Sequence, residues 1–114
     1  MILLISEDLM MSSTVSAAVR ENEGTFRFVG SVERAEVKLS GQTCELLLVD
    51  LQVANLDWDA LATLIEKVPQ SIAYAQHVNV AALKQAGEIP FDQVMTRGQF
   101  FAGISERVSA VLAG

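Results

Sequence analysis

A single cysteine and a single histidine are the only thiol and imidazole in this chain. A zinc site built from several such ligands is therefore excluded. Cys44 has no partner for an internal disulfide, and in its apolar run the thiol behaves as a small hydrophobe. Two prolines and seven glycines are too few for a collagen-like or low-complexity chain. No glycine lies between Ser6 and Ser13, so no phosphate-cradling loop follows the first apolar run, and nucleotide binding in the Rossmann or P-loop manner is disfavoured. No G-x-S-x-G elbow is present, and His77 is the only base of its kind, which argues against a serine hydrolase. No apolar stretch approaches the ~20 residues of a membrane span. The start, Met1 to Ile5, lacks a basic region and turns acidic at Glu7 and Asp8, unlike a signal peptide.

Positive charge is also scarce. Eight basic against fourteen acidic side chains leave a formal charge of −6, a balance that repels phosphate backbones and speaks against nucleic-acid binding. What the chain does have is apolar side chains, 51% of the 114 residues, enough for one well-formed core and too many for disorder. The expectation is one soluble, cytoplasmic domain spanning residues 1–114.

Short apolar runs alternate with stretches of helical period. Ile2 to Ile5 and Leu46 to Val49 are bare apolar tetrads, which need cover on both faces and so belong inside a parallel sheet. Thr25 to Val29 alternates, with Arg27 opposed to the two phenylalanines, and suits an edge. Ser71 to Ala75 and Phe91 to Met95 read as two further strands, the last with edge-like polarity. Between them, Leu9, Met11, Val15, Ala18 and Val19 mark a first helix ended by Gly24. Ser31, Asp57 and Asn79 can cap three more, and a fifth runs from about Gln99 through Phe100, Ile104, Val108 and Val111. Five strands alternating with five helices demand right-handed crossovers and helices on both faces. With the polar strands at the edges, the order is the flavodoxin-like 2-1-3-4-5.

Such sheets bind ligands outside the carboxyl ends of their strands, where the chain order reverses. Here the reversal lies between the first and third strands, which brings Glu7 and Asp50, with Asp8 as a further candidate, to one cleft. Clustered carboxylates raise one another's pKa unless a cation sits among them, and hard oxygens suit Mg²⁺. Asp8 reads as the cap of the first helix, while Glu7 is equally a first-turn acid or a cleft ligand.

The runs Ile2–Asp8, Leu46–Leu51 and Val94–Gly98 together resemble a response-regulator receiver domain of CheY-like type, and the resemblance spans the whole chain. It implies Asp50 as phosphoacceptor, with Mg²⁺ held by Glu7, Asp50 and the backbone carbonyl of Gln52. It also implies a signalling partner such as a kinase or output protein, and a flank on which receivers dimerise.

Several positions depart from that pattern. Ser6 stands where the first acid of the pair is expected, Ala75 where a hydroxyl residue is expected, Arg97 at the lysine position, Gly98 at the following proline and Val94 at the switching aromatic. Phosphoryl transfer depends on neutralising the equatorial oxygens. Ser6 weakens the metal site, Ala75 cannot donate to a phosphoryl oxygen, and Arg97 can pair Asp50 and lock the cleft.

These departures resemble a pseudo-receiver, a stand-alone regulatory module acting by protein contact. The alternatives are a phosphoaccepting receiver that uses Asp50 with Mg²⁺ and, more weakly, a flavodoxin-like small-molecule binder. As Gly114 closely follows the last helix, output by docking is expected. Trp58 is expected to be partly buried, His77 to be an ordinary loop residue, the four methionines to fill the core, and Phe100 and Phe101 to divide between core and flank.

Overall fold

The computed structural model describes residues 1–113. Five parallel strands, β1 (Ile2–Ile5), β2 (Phe26–Val29), β3 (Leu46–Asp50), β4 (Ser71–Ala75) and β5 (Gln93–Thr96), form one sheet of order β2-β1-β3-β4-β5. The helices are α1 (Leu9–Glu21), α2 (Val32–Gly41), α3 (Trp58–Ile65), α4 (Val80–Ala86), α5 (Arg97–Ala102) and α6 (Ile104–Ala113). The expected strand order and the two expected edges are both found.

Alternation along each strand divides the core in two. Leu3, Ile5, Leu47, Val49 and Ala73 face α2, α3 and α4, where they meet Ala35, Leu61 and Leu64. Ile2, Leu4, Leu46, Leu48 and Tyr74 face α1, α5 and α6, meeting Val15, Val19, Phe100 and Val108. The tetrads of β1 and β3 are buried throughout, as strands covered on both faces must be. Each such leucine or isoleucine contributes about 1.5–3 kcal/mol through removal from water.

The helix starts follow their caps. Ser31 accepts from the Arg34 N–H, Asp57 from Ala60 and Asn79 from Ala82, each satisfying an orphan donor of the first turn. α1 ends differently from expectation. The left-handed residue is Glu23 (φ 59°), with the Gly24 N–H bonded to Val19 O and the Glu23 N–H to Arg20 O. At Gly24 a Cβ would lie 2.5 Å from Leu112 Cδ1, so a larger residue there would displace the end of that α6 side chain.

Other corrections concern the ends of the chain's elements. β5 begins at Gln93 rather than Phe91. The last helix starts earlier than Gln99, because Thr96 and Gln99 form a reciprocal capping box around Arg97 and Gly98. It also breaks at Gly103, giving six helices among the described residues rather than five. The Arg107 guanidinium occupies the position where a Cβ of residue 103 would stand.

Leu9, counted into the buried stripe of α1, is 75% exposed because, two residues before the fully buried Met11, it falls on the opposite face of the helix. Met1, Met11 and Met95 are core residues as expected, but Met10 is exposed. Trp58 is half-buried against the α2–α3 side, and Phe100 is buried while Phe101 is exposed, as expected.

Candidate functional site at the carboxyl edge of the sheet

The ends of β1, β3, β4 and β5 converge at one edge, and each contributes a polar side chain or loop there. Asp50 closes β3, opposite Tyr74 in the parallel register with β4, while Ala75 lies opposite Thr96 of β5. Residues 2, 4 and 6 of β1 and its extension, 48 and 50 of β3, and 72 and 74 of β4 alternate onto the α1–α5 side. Ser6, Asp50 and Tyr74 therefore stand together although they are far apart in sequence.

Their hydrogen bonds are directional, and each carboxylate oxygen of Asp50 accepts one. The fully buried Ser6 hydroxyl donates to Asp50 Oδ2 at 2.8 Å and its oxygen accepts the Asp8 N–H at 3.0 Å. Asp50 Oδ1 accepts the Gln52 N–H at 3.0 Å. Both oxygens of the half-buried Asp50 are thus engaged by the chain itself.

Asp8 has two roles. Its Oδ1 accepts from Met10 and Met11 N–H groups and caps α1, as expected, while its Oδ2 receives Arg97 Nη2 at 2.7 Å. The expected Arg97–Asp50 bridge is not formed among the described residues; Arg97 pairs with Asp8 instead. The physical reason is local. Arg97 is the first residue of α5, so its side chain meets the first turn of α1 rather than the end of β3. This guanidinium, followed by the cap N–H bond to Met11, holds the Asp8 carboxyl below the usual carboxylate range, and the Asp8 contact correspondingly holds Arg97 above its usual value.

Two further contacts tie neighbouring loops. Glu7 Oε1 accepts the Ala54 N–H at 2.9 Å, joining the β1–α1 loop to the β3–α3 loop. Gln52 Oε1 accepts the Gln76 N–H at 2.9 Å, joining the β3–α3 loop to the β4–α4 loop. Asn55, between them, takes a left-handed φ of 57°. Among the described residues no group of three or more His, Cys, Asp or Glu side chains is disposed to hold a metal ion. Ala75 is buried and brings no hydroxyl, Val94 is half-buried, and His77 is exposed on the β4–α4 loop.

Beneath the carboxylates lies a residue that the linear pattern showed only as part of a strand. Tyr74 is 1% exposed and stacks on Phe100 with ring centroids 4.4 Å apart. Its hydroxyl has no hydrogen-bond partner. Burial pushes the phenol well above its usual range, and the Asp50 charge adds to this. The nearby Ser6 hydroxyl tempers the shift without being aligned for a formal bond. The signal for Tyr74 was its parity with Ile72 and its register opposite Asp50; register is not visible in one sequence.

No known family profile and no curated protein matches the chain. Solved structures do. The receiver domain of TorR, a response regulator of the TMAO respiratory system, superposes with a TM-score of 0.82 at 14% identity, covering 98% of this chain and 95% of that one. A response regulator from Thermotoga maritima gives 0.77 at 12% identity, covering 99% and 97%. The receiver domain of a sensor histidine kinase from Pseudomonas aeruginosa, solved with magnesium coordinated in its active-site cleft, gives 0.76 at 14% identity, covering 99% and 97%. The fold is that of a CheY-like response-regulator receiver domain.

Proposed function

We propose that this chain is a receiver-like signalling domain of two-component type whose cleft is degenerate, and that it regulates a partner by protein contact. The observation that carries the reading is the Asp50 carboxylate, engaged on Oδ2 by the Ser6 hydroxyl and on Oδ1 by the Gln52 N–H. A phosphoacceptor must present an oxygen to the incoming phosphorus and have its charge balanced by metal and cation. Here Arg97, the cation at the lysine position, is paired with Asp8, and Ala75 offers no donor to a phosphoryl oxygen.

The donor set does not fit the Mg²⁺ site that the resemblance implies. Mg²⁺ demands near-octahedral oxygen coordination and favours carboxylates. Glu7 is turned to the Ala54 N–H, Ser6 replaces an acid with a hydroxyl that donates to Asp50, and only the Gln52 carbonyl stays as expected in kind. Output would come from surface contact, and the exposed Phe101, Val78 and Val80 on the α4–α5 side are apolar groups available to a kinase, an output protein or a second copy.

A phosphoaccepting receiver is the second reading. It is favoured by one observation: Asp50 stands at the end of β3 and is half-buried rather than sealed. The test is incubation with Mg²⁺ and a small phosphodonor, followed by intact-mass analysis. The degenerate reading expects no adduct. An acid-labile phosphoryl group that is absent from Asp50→Asn would establish the second.

A further inference from the structure

The side of the domain formed by β1, β2 and α2 carries a cavity of about 550 Å³, lined at its cleft end by Ser6 and Glu7. That volume falls within the range of small-molecule sites. Phe28, Val29 and Val37 supply apolar lining, and Arg34 and Lys38 stand on its α2 wall. Arg34 and Lys38 are four residues apart and so share one helix face, with Val37 beside them.

Three features of this pocket are unexplained by the fold. Val37 is 68% exposed, a large aliphatic group left in water. Neither the Arg34 nor the Lys38 side chain forms an ion pair or hydrogen bond among the described residues, in a chain with a net charge of −6. Gly30, on the rim, has nothing within 4 Å of the place a Cβ would occupy, so access there is open.

We infer that this pocket binds a small monocarboxylate with an apolar ring or branched body. The body would cover Val37 and the edge of β2 at Phe28 and Val29, and the carboxylate would bridge the guanidinium of Arg34 and the ammonium of Lys38. A planar carboxylate matches the arginine fork. The wall also contains Glu7, so two cations and one anion leave a local charge near +1. That balance matches a monoanion and disfavours a dianionic phosphate ester. The inference does not depend on whether Asp50 accepts a phosphoryl group.

The test is a titration of the full chain with phenylacetate, read from backbone amide shifts, with acetate and benzyl alcohol as the charged half and the apolar half. Saturable shifts at Gly30, Arg34, Val37 and Lys38 are expected with phenylacetate, and much weaker ones with either half. The double variant Arg34→Gln/Lys38→Gln, both exposed positions, should weaken binding at least about tenfold, the scale of a lost charge-assisted contact. Val37→Ser should weaken phenylacetate and leave acetate unchanged. The inference is overturned if phenylacetate produces no saturable shifts, if acetate or benzyl alcohol matches it, or if the double variant binds as tightly as the parent.

Discussion

Tyr74→Phe removes one oxygen from the floor of the cleft, and its effect can be worked out from the surroundings. The side chain is 1% exposed and its hydroxyl is unpartnered. Keeping such a group away from water without a hydrogen bond costs about 1–3 kcal/mol. The ring stack on Phe100 survives the change. The small void left by the oxygen returns a part of the gain, at most about 1 kcal/mol. The net expectation is a stabilisation of about 1 kcal/mol, or a rise in Tm of roughly 4–8 °C for a domain near this size.

Urea unfolding followed by circular dichroism measures it, with an unchanged slope showing that the denatured state is unaltered. Alkaline pH supplies an independent check. The folded phenol is raised by burial and by Asp50, so the folded chain keeps a proton that the unfolded chain releases near pH 10. Stability of the parent must therefore fall as pH rises above about 10, while Tyr74→Phe lacks that component. A variant less stable than the parent by about 1 kcal/mol would refute the reasoning and mean that the hydroxyl is bonded, with Ser6 as the neighbouring partner.

Asp8→Ala loses both the α1 cap and the Arg97 pair and should cost about 1–2 kcal/mol, whereas Asp8→Asn keeps an N-cap and should cost about half as much, both by chemical denaturation. Because the folded Asp8 carboxyl is held below its unfolded value, its contribution is present above pH ~4 and fades as pH falls through the folded value; Asp8→Asn should lose less stability over that acid range. Phe100→Ala should cost about 3–5 kcal/mol and Phe101→Ala less than about 0.5, since the first is buried on Tyr74 and the second is on the surface. Ser6→Asp sets a second carboxylate against Asp50 in place of a donor, so it should lower Tm without metal and make Tm rise with added Mg²⁺, a dependence the parent should lack.

The sheet order was legible because β1 and β3 are unbroken apolar tetrads and β2 and β5 are not, a contrast that assigns centre and edge without any contact information. Helix starts were legible at Asp8, Ser31, Asp57 and Asn79, where capping is a property of two or three adjacent residues. The approach of Glu7 and Asp50 to one edge followed from topology alone. What stayed hidden depends on side-chain direction across distant elements. Arg97 reaches Asp8 rather than Asp50 because the Thr96–Gln99 capping box starts α5 at Arg97, and no spacing rule shows which acid that brings near. The Gln52 bond to the Gln76 N–H and the Glu7 bond to the Ala54 N–H are side-chain-to-backbone contacts between loops, without a sequence signature. Glu23, rather than Gly24, takes the left-handed position at the end of α1, so the glycine in the sequence did not mark it.

On the proposed reading the cleft is held together by its own hydrogen bonds rather than arranged around a cation. Titrating the parent chain with Mg²⁺ while following the amides of Glu7, Asp50, Gln52 and Ala54 tests this most directly. The account predicts no saturable shift through the millimolar range. Shifts at these four amides that saturate with one common affinity and vanish in Asp50→Asn would contradict it.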